Sequence, residues 1–342
     1  MLQAMITAEV GDDMLGEDPT TKRLEQIVAE MFEHEAAVYA CSGTQSNQMG
    51  VRIHCQPGDE LLINETGHIA NFEGGAPAAI SGVTVRTIAA ADGFLDLDVL
   101  EGRIRVHDQH YARTRLVCLE NTTNIGGGHI YSLEHLQRVS EWATTNGLKR
   151  HLDGARLFNA IVAGGYSAAE VGKCFDTISI CFSKGLGCPM GSILIGNHDD
   201  ISRARRIRKL FGGALRQSGI VAASAVYALE NNVERLKDDH ANAHQLAIGL
   251  TSIDEIRIDP DRVKTNLVFF EIANECGLAI QLAGALKEQG VLVGPMGGQR
   301  LRAVTHLDAT SGDIGSAVEI IRKCIAAGFA DRPIIGSGPY SR

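Results

Sequence analysis

The chain has 342 residues, a formal net charge of -9, 44% hydrophobic residues, eight cysteines and one tryptophan. At roughly 150 residues per domain this length suggests about two domains and a large core. Net acidity argues against a nucleic-acid partner. No apolar run reaches the about 18 residues of a membrane span, no signal-peptide pattern opens the chain, and the cysteines form no C-x-x-C pair, so they read as reduced core thiols of a cytoplasmic protein.

Residues 1–17 read as an amino-terminal arm: the end of a helix at Met1-Leu-Gln-Ala-Met5, then a loop through Ala8-Glu-Val-Gly-Asp-Asp13. Asp18-Pro19-Thr20 places a capping residue before proline at the first helical position, and Leu24, Ile27, Val28, Met31 and Phe32 follow at helical spacing. Ala36 to Cys41 predicts a short strand, Ser42-Gly43-Thr44 a tight turn, and Gln45 a helix start. Strand, glycine turn and helix amino terminus together make an anion pocket suited to phosphate, although the same pattern occurs in turns that bind nothing.

The strand-helix alternation continues. Glu60–Ile63 predicts a strand with His68 in the loop behind it, Gly82–Ile88 another, then a helix over 97–105. Arg115–Glu120 is a strand running into Asn121-Thr-Thr-Asn124, and a helix from Ser132 ends at Gly147. Leu148–Asp153 closes on Asp153-Gly-Ala-Arg156. Asp176-Thr-Ile-Ser-Ile-Cys-Phe-Ser reads as eight residues of strand delivering Lys184 into a turn built on Gly185 and Gly187. A lysine at the end of a buried strand is poorly hydrated, which favours the free amine that attacks an aldehyde. Ser192–Ile195 completes a series that predicts an α/β fold with a mainly parallel, doubly wound sheet, with ligands at the carboxyl ends of its strands.

Beyond residue 235 the pattern becomes α+β: helices from His240, Leu278 and Ile314, and strands near Val263–Ile272, Val291–Gly298 and Arg300–His306. The division is therefore a large domain over 1–235, a small one over 236–330, and a flexible Pro- and Gly-rich tail over 331–342. His240 and His244 stand at i, i+4 on a helix with no third ligand in view, so no metal is predicted. The basic run Arg203-Ala-Arg-Arg-Ile-Arg-Lys209 reads as a solvated or interface helix face.

Lys184, Asp153 and the Ser42-Gly43-Thr44 turn match what pyridoxal phosphate requires: an imine-forming lysine, a carboxylate for the pyridine nitrogen and a phosphate cradle, with His68 at the right strand end to stack on the ring. Singly, Asp153 fits a helix N-cap and His68 a satisfied loop histidine just as well.

From Ala8 to about Phe329 the chain resembles the L-threonine aldolases, low-specificity and L-allo-threonine types, of pyridoxal-phosphate fold type I. The resemblance is carried by Ala8-Glu-Val-Gly-Asp-Asp with Gly16-Glu-Asp-Pro19, Ser42-Gly-Thr44, His68 before Phe72-Glu73, Leu119-Glu-Asn-Thr122, His151-Leu-Asp-Gly-Ala-Arg-Leu-Phe-Asn159, Ser179-Ile-Cys-Phe-Ser-Lys-Gly-Leu-Gly187, Gly212-Gly213 to Arg216, and Arg302-Ala-Val-Thr-His-Leu307. It implies a fold with an aspartate aminotransferase-like large domain and reversible cleavage of β-hydroxy-α-amino acids to glycine and an aldehyde. On the same basis Lys184 carries the cofactor, beside Ser183, Asp153 pairs with the pyridinium and His68 stacks. Ser42, Gly43 and Thr44 hold the phosphate, Arg216 reaches a neighbouring subunit's phosphate in a dimer of dimers, and Arg156 and Arg302 grip the substrate carboxylate.

Two departures are visible. Thr123 stands where the resemblance leads one to expect histidine near the substrate hydroxyl, which predicts altered diastereomer preference and routes the proton to His68 or a water. The family's opening Arg-Ser-Asp-Thr segment is missing, which predicts an upstream start or an impaired protein. Rival readings are another fold type I lyase or aminotransferase, or a cofactor-binding homologue without catalysis.

Overall fold

The computed structural model describes residues 1–331, so the predicted tail lies outside the described residues except for Asp331. The chain forms two compact units, Met1–Gly126 with Ile130–Glu234, and Gly127–His129 with Arg235 onward.

The first unit opens with α1 (Leu2–Ile6) and α2 (Pro19–Met31). Asp18 caps α2, its Oδ1 accepting from Thr21 N–H at 2.8 Å, and the helix buries Leu24, Glu25 and Val28. After β1 (Ala36–Ala40), α3 (Gly43–His54) starts at Gly43, with Ser42 as its cap. The strands β2 (Asp59–Asn64), β3 (Thr84–Ile88), β4 (Arg113–Glu120), β5 (Lys149–Gly154), β6 (Thr177–Cys181) and β7 (Ser192–Gly196) join β1 in one sheet of order β1-β7-β6-β5-β4-β2-β3. Neighbours from β3 to β6 are parallel; β7 is antiparallel to both β6 and β1. Every residue of β2, β6 and β7 is buried, as expected of strands covered on both faces.

Several elements are shorter than the sequence pattern predicts, among them the strand expected near Val291–Gly298, which is Gly294–Pro295 alone. The helix expected over 97–105 is one turn, Leu97–Leu100, and Gly102 turns the chain at φ 72°. The lysine strand stops at Cys181, three residues before Lys184: the Phe182 N–H still meets Gly191 O at 3.0 Å in the β6–β7 register, but the Phe182 carbonyl accepts from Cys188 N–H at 3.1 Å instead of continuing the ladder. The basic run is also not a uniformly solvated face. It lies on the helix His198–Leu210, where Arg205 turns to Glu25 and Arg208 is buried against Asp13.

The second unit holds β8 (Ile256–Arg257), β9 (Leu267–Ile272), β10 (Gly294–Pro295) and β11 (Arg300–Val304) as an antiparallel sheet of order β10-β11-β9-β8. The helices Leu236–Leu250, Ala279–Glu288 and Ser311–Ala327 pack Leu246, Leu250, Leu282, Leu286 and Ile321 against Val268 and Phe270.

Candidate active site

Four adjacent parallel strands, β2, β4, β5 and β6, point their carboxyl ends to one edge of the sheet, and the predicted residues of the first unit sit along it. His68 opens the short helix α4 (His68–Asn71), just past β2. Its N–H donates to Glu120 Oε2 at 2.9 Å, and its Nδ1 lies 2.9 Å from Glu73 Oε1. A carboxylate can only accept, so Nδ1 carries the proton and Nε2 is the ring's lone pair whenever the imidazole is neutral. Burial by itself pulls the His68 pKa down. The hydrogen bond to Glu73 and the charges of Asp153, Glu73 and Glu120 outweigh it and hold the pKa above the ordinary histidine value.

Asp153, near the end of β5, is 3% exposed. Its Oδ2 accepts from Asn47 Nδ2 at 2.9 Å and its Oδ1 from Ala155 N–H at 3.1 Å. It is no helix cap: that position, before Leu157–Gly164, belongs to Arg156. Asn47 Nδ2 also reaches Glu73 Oε1 at 2.8 Å, and Gln48 Nε2 donates to Glu73 Oε2 at 2.6 Å. Ligand atoms of His68, Glu73 and Asp153 lie within 4.8 Å of one another, a spacing compatible with a metal ion, but the Asn47 amide already bridges the two carboxylates.

Glu120 ties two loops together, accepting from the His68 N–H with one oxygen and from the Asn124 N–H with the other, each at 2.9 Å. Burial, and then the charge of Asp153, push its carboxyl up to about 7. Thr123 is buried beside it in sequence; a Cβ added to Gly93 would come 2.8 Å from Thr123 Cβ.

The expected Ser42-Gly43-Thr44 turn is replaced in part by helix, since α3 starts at Gly43 and not at Gln45. Ser42 Oγ accepts from Gln45 N–H at 3.2 Å, so Gly43 and Thr44 start the helix with N–H groups that have no partner within it. A Cβ at Gly43 would sit 2.5 Å from Cys181 Sγ. That thiol is raised by burial and then lowered by the charge of Lys184, with Asp153 and Arg156 also in electrostatic reach. The glycine turn thus packs directly against Cys181, whose sulfur also feels the charges of Lys184, Asp153 and Arg156.

Lys184 is half-buried in a bend, its carbonyl accepting from Gly187 N–H at 2.9 Å; Ser183 before it is exposed. Arg216 is exposed and paired with Asp12 of the amino-terminal arm. Arg302 lies on β11 of the second unit, opposite Phe269 and Gly294. His129, also in that unit, meets Arg262 Nη2 at 2.8 Å.

A family model, beta-eliminating lyase, matches residues 1–275. The chain belongs to the beta-eliminating lyase family. It is 42% identical over 311 residues to the low specificity L-threonine aldolase of Escherichia coli K12, covering 91% of this chain and 90% of that one. It is 40% identical over 319 residues to low-specificity L-threonine aldolase 1 of Arabidopsis thaliana, covering 92% and 89%. The solved threonine aldolase of Leishmania major has the same fold, with a TM-score of 0.81 at 22% identity over 95% and 94% of the two chains. So does a serine palmitoyltransferase from S. paucimobilis solved with bound PLP, at 0.74 and 19% over 95% and 82%.

This member of the family is thus a carbon-carbon lyase with the type I fold, which implies pyridoxal phosphate as the group to be held. The residues present fit that group. Gly43 leaves a cradle that a single methyl would fill. Ser179 Oγ, opposite Asp153 in the β5–β6 register, is buried with no hydrogen-bond partner among the described residues. The donor set supplies an amine, an acid and a helix amino terminus. The sequence pattern had already marked Lys184, Asp153, His68 and the turn. It gave no role to Asn47, Glu73 or Glu120, of which only the two glutamates stood within recognisable motifs.

Proposed function

We propose that the chain cleaves L-threonine, L-allo-threonine and related β-hydroxy-α-amino acids reversibly to glycine and an aldehyde. The buried Asp153, joined through Asn47 to Glu73 and His68 at the sheet edge where the Gly43 turn packs on the strand leading to Lys184, carries this reading. When bound, pyridoxal phosphate supplies an aldehyde for the substrate amine and a ring that accepts the electron pair of the breaking bond.

Lys184 would hold the cofactor, with Ser183 next to it in the chain. Asp153, steadied by Asn47 and the Ala155 N–H, would meet the ring nitrogen, and His68 would stack on the ring. Ser42, Gly43 and Thr44 would take the phosphate. His68 Nε2, the free lone pair left by the Nδ1 bond to Glu73, takes the β-hydroxyl proton directly or through a water, since Thr123 has no base to offer. Arg156 is assigned the substrate carboxylate, a role suited to a guanidinium fork. Arg302 is assigned the same carboxylate, and Arg216 a phosphate in a neighbouring subunit, on the family resemblance alone. A homotetramer accords with the exposed apolar residues Leu2, Ile6 and Leu15 on the arm. A cytoplasmic location accords with reduced cysteines and with the lack of a membrane-spanning helix among the described residues.

The test is release of glycine and acetaldehyde from threonine and allo-threonine by the chain loaded with pyridoxal phosphate. Turnover with Thr123→His shifting the ratio of the two isomers is the expected result. Absence of glycine, or formation of a new amino acid from pyruvate, overturns the reading in favour of another reaction on this cofactor.

A further inference from the structure

Behind the site, a row of buried polar groups that takes no part in the chemistry above runs from Asp153 to the far end of α3. Asn47 Oδ1 lies 3.2 Å from His151 Nε2, His151 Nδ1 lies 2.9 Å from Thr177 Oγ1, and the same hydroxyl lies 2.9 Å from His54 Nε2. His151 and Thr177 are 0% exposed, and Asn47 and His54 are nearly as deep. Asn47, Gly50 and His54 share one face of α3 at helical spacing. A Cβ at Gly50 would stand 2.5 Å from His151 Cε1, so the glycine is what admits the imidazole beneath the helix.

Only one placement of hydrogens satisfies every member. Asn47 faces two carboxylate oxygens, which only accept, so its NH2 points at Asp153 and Glu73 and its Oδ1 points at His151. That oxygen needs a donor, which puts the His151 hydrogen on Nε2. Burial, with His54 nearby, lowers the His151 pKa to about 3, and burial lowers that of His54 to about 4, so both rings are neutral at neutral pH. His151 Nδ1 is then bare and accepts from the Thr177 hydroxyl. With its only hydrogen committed there, Thr177 Oγ1 accepts from His54 Nε2–H.

We propose that His54, Thr177 and His151 are positioning residues that lock the Asn47 carboxamide with both N–H groups toward Asp153 and Glu73, and so orient the carboxylate that meets the cofactor ring. The inference rests on the assignment of Asp153 made above. The same bonds join two distant parts of the first unit: α3 begins at the Ser42 turn and is fastened at its middle and end to β5 and β6, the strands that carry Asp153 and lead to Lys184.

Nitrogen-15 spectra of the full-length chain, with and without pyridoxal phosphate, read the tautomers directly, with His151→Gln and His54→Gln used to assign the signals. Both rings are expected as neutral Nε2–H tautomers at about pH 7; an Nδ1–H tautomer or a charged ring at either position overturns the proposal. Thr177→Val, which removes only the hydroxyl, is expected to disperse the His151 tautomer and raise the dissociation constant of pyridoxal phosphate about tenfold, while Thr177→Ser restores both. Unchanged tautomer and affinity in Thr177→Val overturn the proposal, and if that variant fails to fold, loss of either property in Thr177→Ser does so instead. A wild-type chain that shows both tautomers but binds no pyridoxal phosphate sinks the functional reading and not the hydrogen-bonded chain.

Discussion

Glu73 is the side chain on which His68 depends for both its orientation and its charge. The carboxylate accepts from Asn47, Gln48 and His68, three donors on one buried acid, so its position is fixed before the imidazole is added. A base must be neutral to take a proton, and the His68 pKa is held above the ordinary value. The kcat/KM of the loaded enzyme should therefore rise with pH through that raised pKa. Glu73→Gln removes the main upward influence on the ring, so the acid limb should move to lower pH. The plateau should also fall, by roughly a hundredfold, because Nδ1–H loses its charged acceptor and the ring its fixed tautomer. Kinetics from about pH 5 to 9 decide the matter; an acid limb that stays in place would show that another group, Glu120 with its pKa of about 7 being the first suspect, controls the profile.

At the scale of elements, α3 matters most, and the critical contact is between Gly43 and Cys181. Gly43→Ala places a methyl 2.5 Å from a buried sulfur, closer than real contacts allow, so the first turn must shift away from the strand that leads to Lys184. We expect weaker pyridoxal phosphate binding, by about tenfold or more, with partial recovery in the Gly43→Ala, Cys181→Ala double variant, where the sulfur is gone. Equilibrium dialysis of the four proteins gives the coupling between the two positions; strictly additive losses would mean that the contact does not set the turn. The elements around this contact were legible because their signals are local. Strands buried on both faces read as apolar runs, and Asp18-Pro19 announces a helix start by capping chemistry, whereas Ser42 reads as part of a turn and caps a helix that starts two residues before the expected Gln45. What escaped was set by tertiary contact. Phe182 and Ser183 continue the strand pattern in sequence, yet the Phe182 carbonyl turns to the Cys188 N–H and the chain bends there, leaving Lys184 three residues beyond the sheet. Asn47 and Gln48 look like any polar residues on a helix, and only the fold turns them inward onto Glu73 and Asp153.

Across the whole first unit, the amino-terminal arm is held by a set of aspartates whose contributions should differ sharply. Asp13 and Arg208 form an ion pair at 2.7 Å with both side chains 5% exposed, and Arg208 also donates to Tyr39 O at 2.8 Å. Asp12 pairs with Arg216 at the surface, where the arginine side chain is 62% exposed. Asp18 caps α2 and also accepts from Gly219 N–H at 2.9 Å, tying the arm to the helix Gly219–Asn231. Removing one partner of a buried pair leaves the other charge unpaired in a poorly solvated site. Asp13→Asn should therefore cost about 3 kcal/mol or more of unfolding free energy. Asp12→Asn breaks a solvent-screened pair and should leave the denaturation midpoint almost unchanged. Urea titrations of the two variants beside the parent chain separate these cases. Equal losses, or a larger loss for Asp12, would mean that the arm is fastened at its surface end, and that the pair of adjacent aspartates serves Arg216 first and the buried guanidinium second.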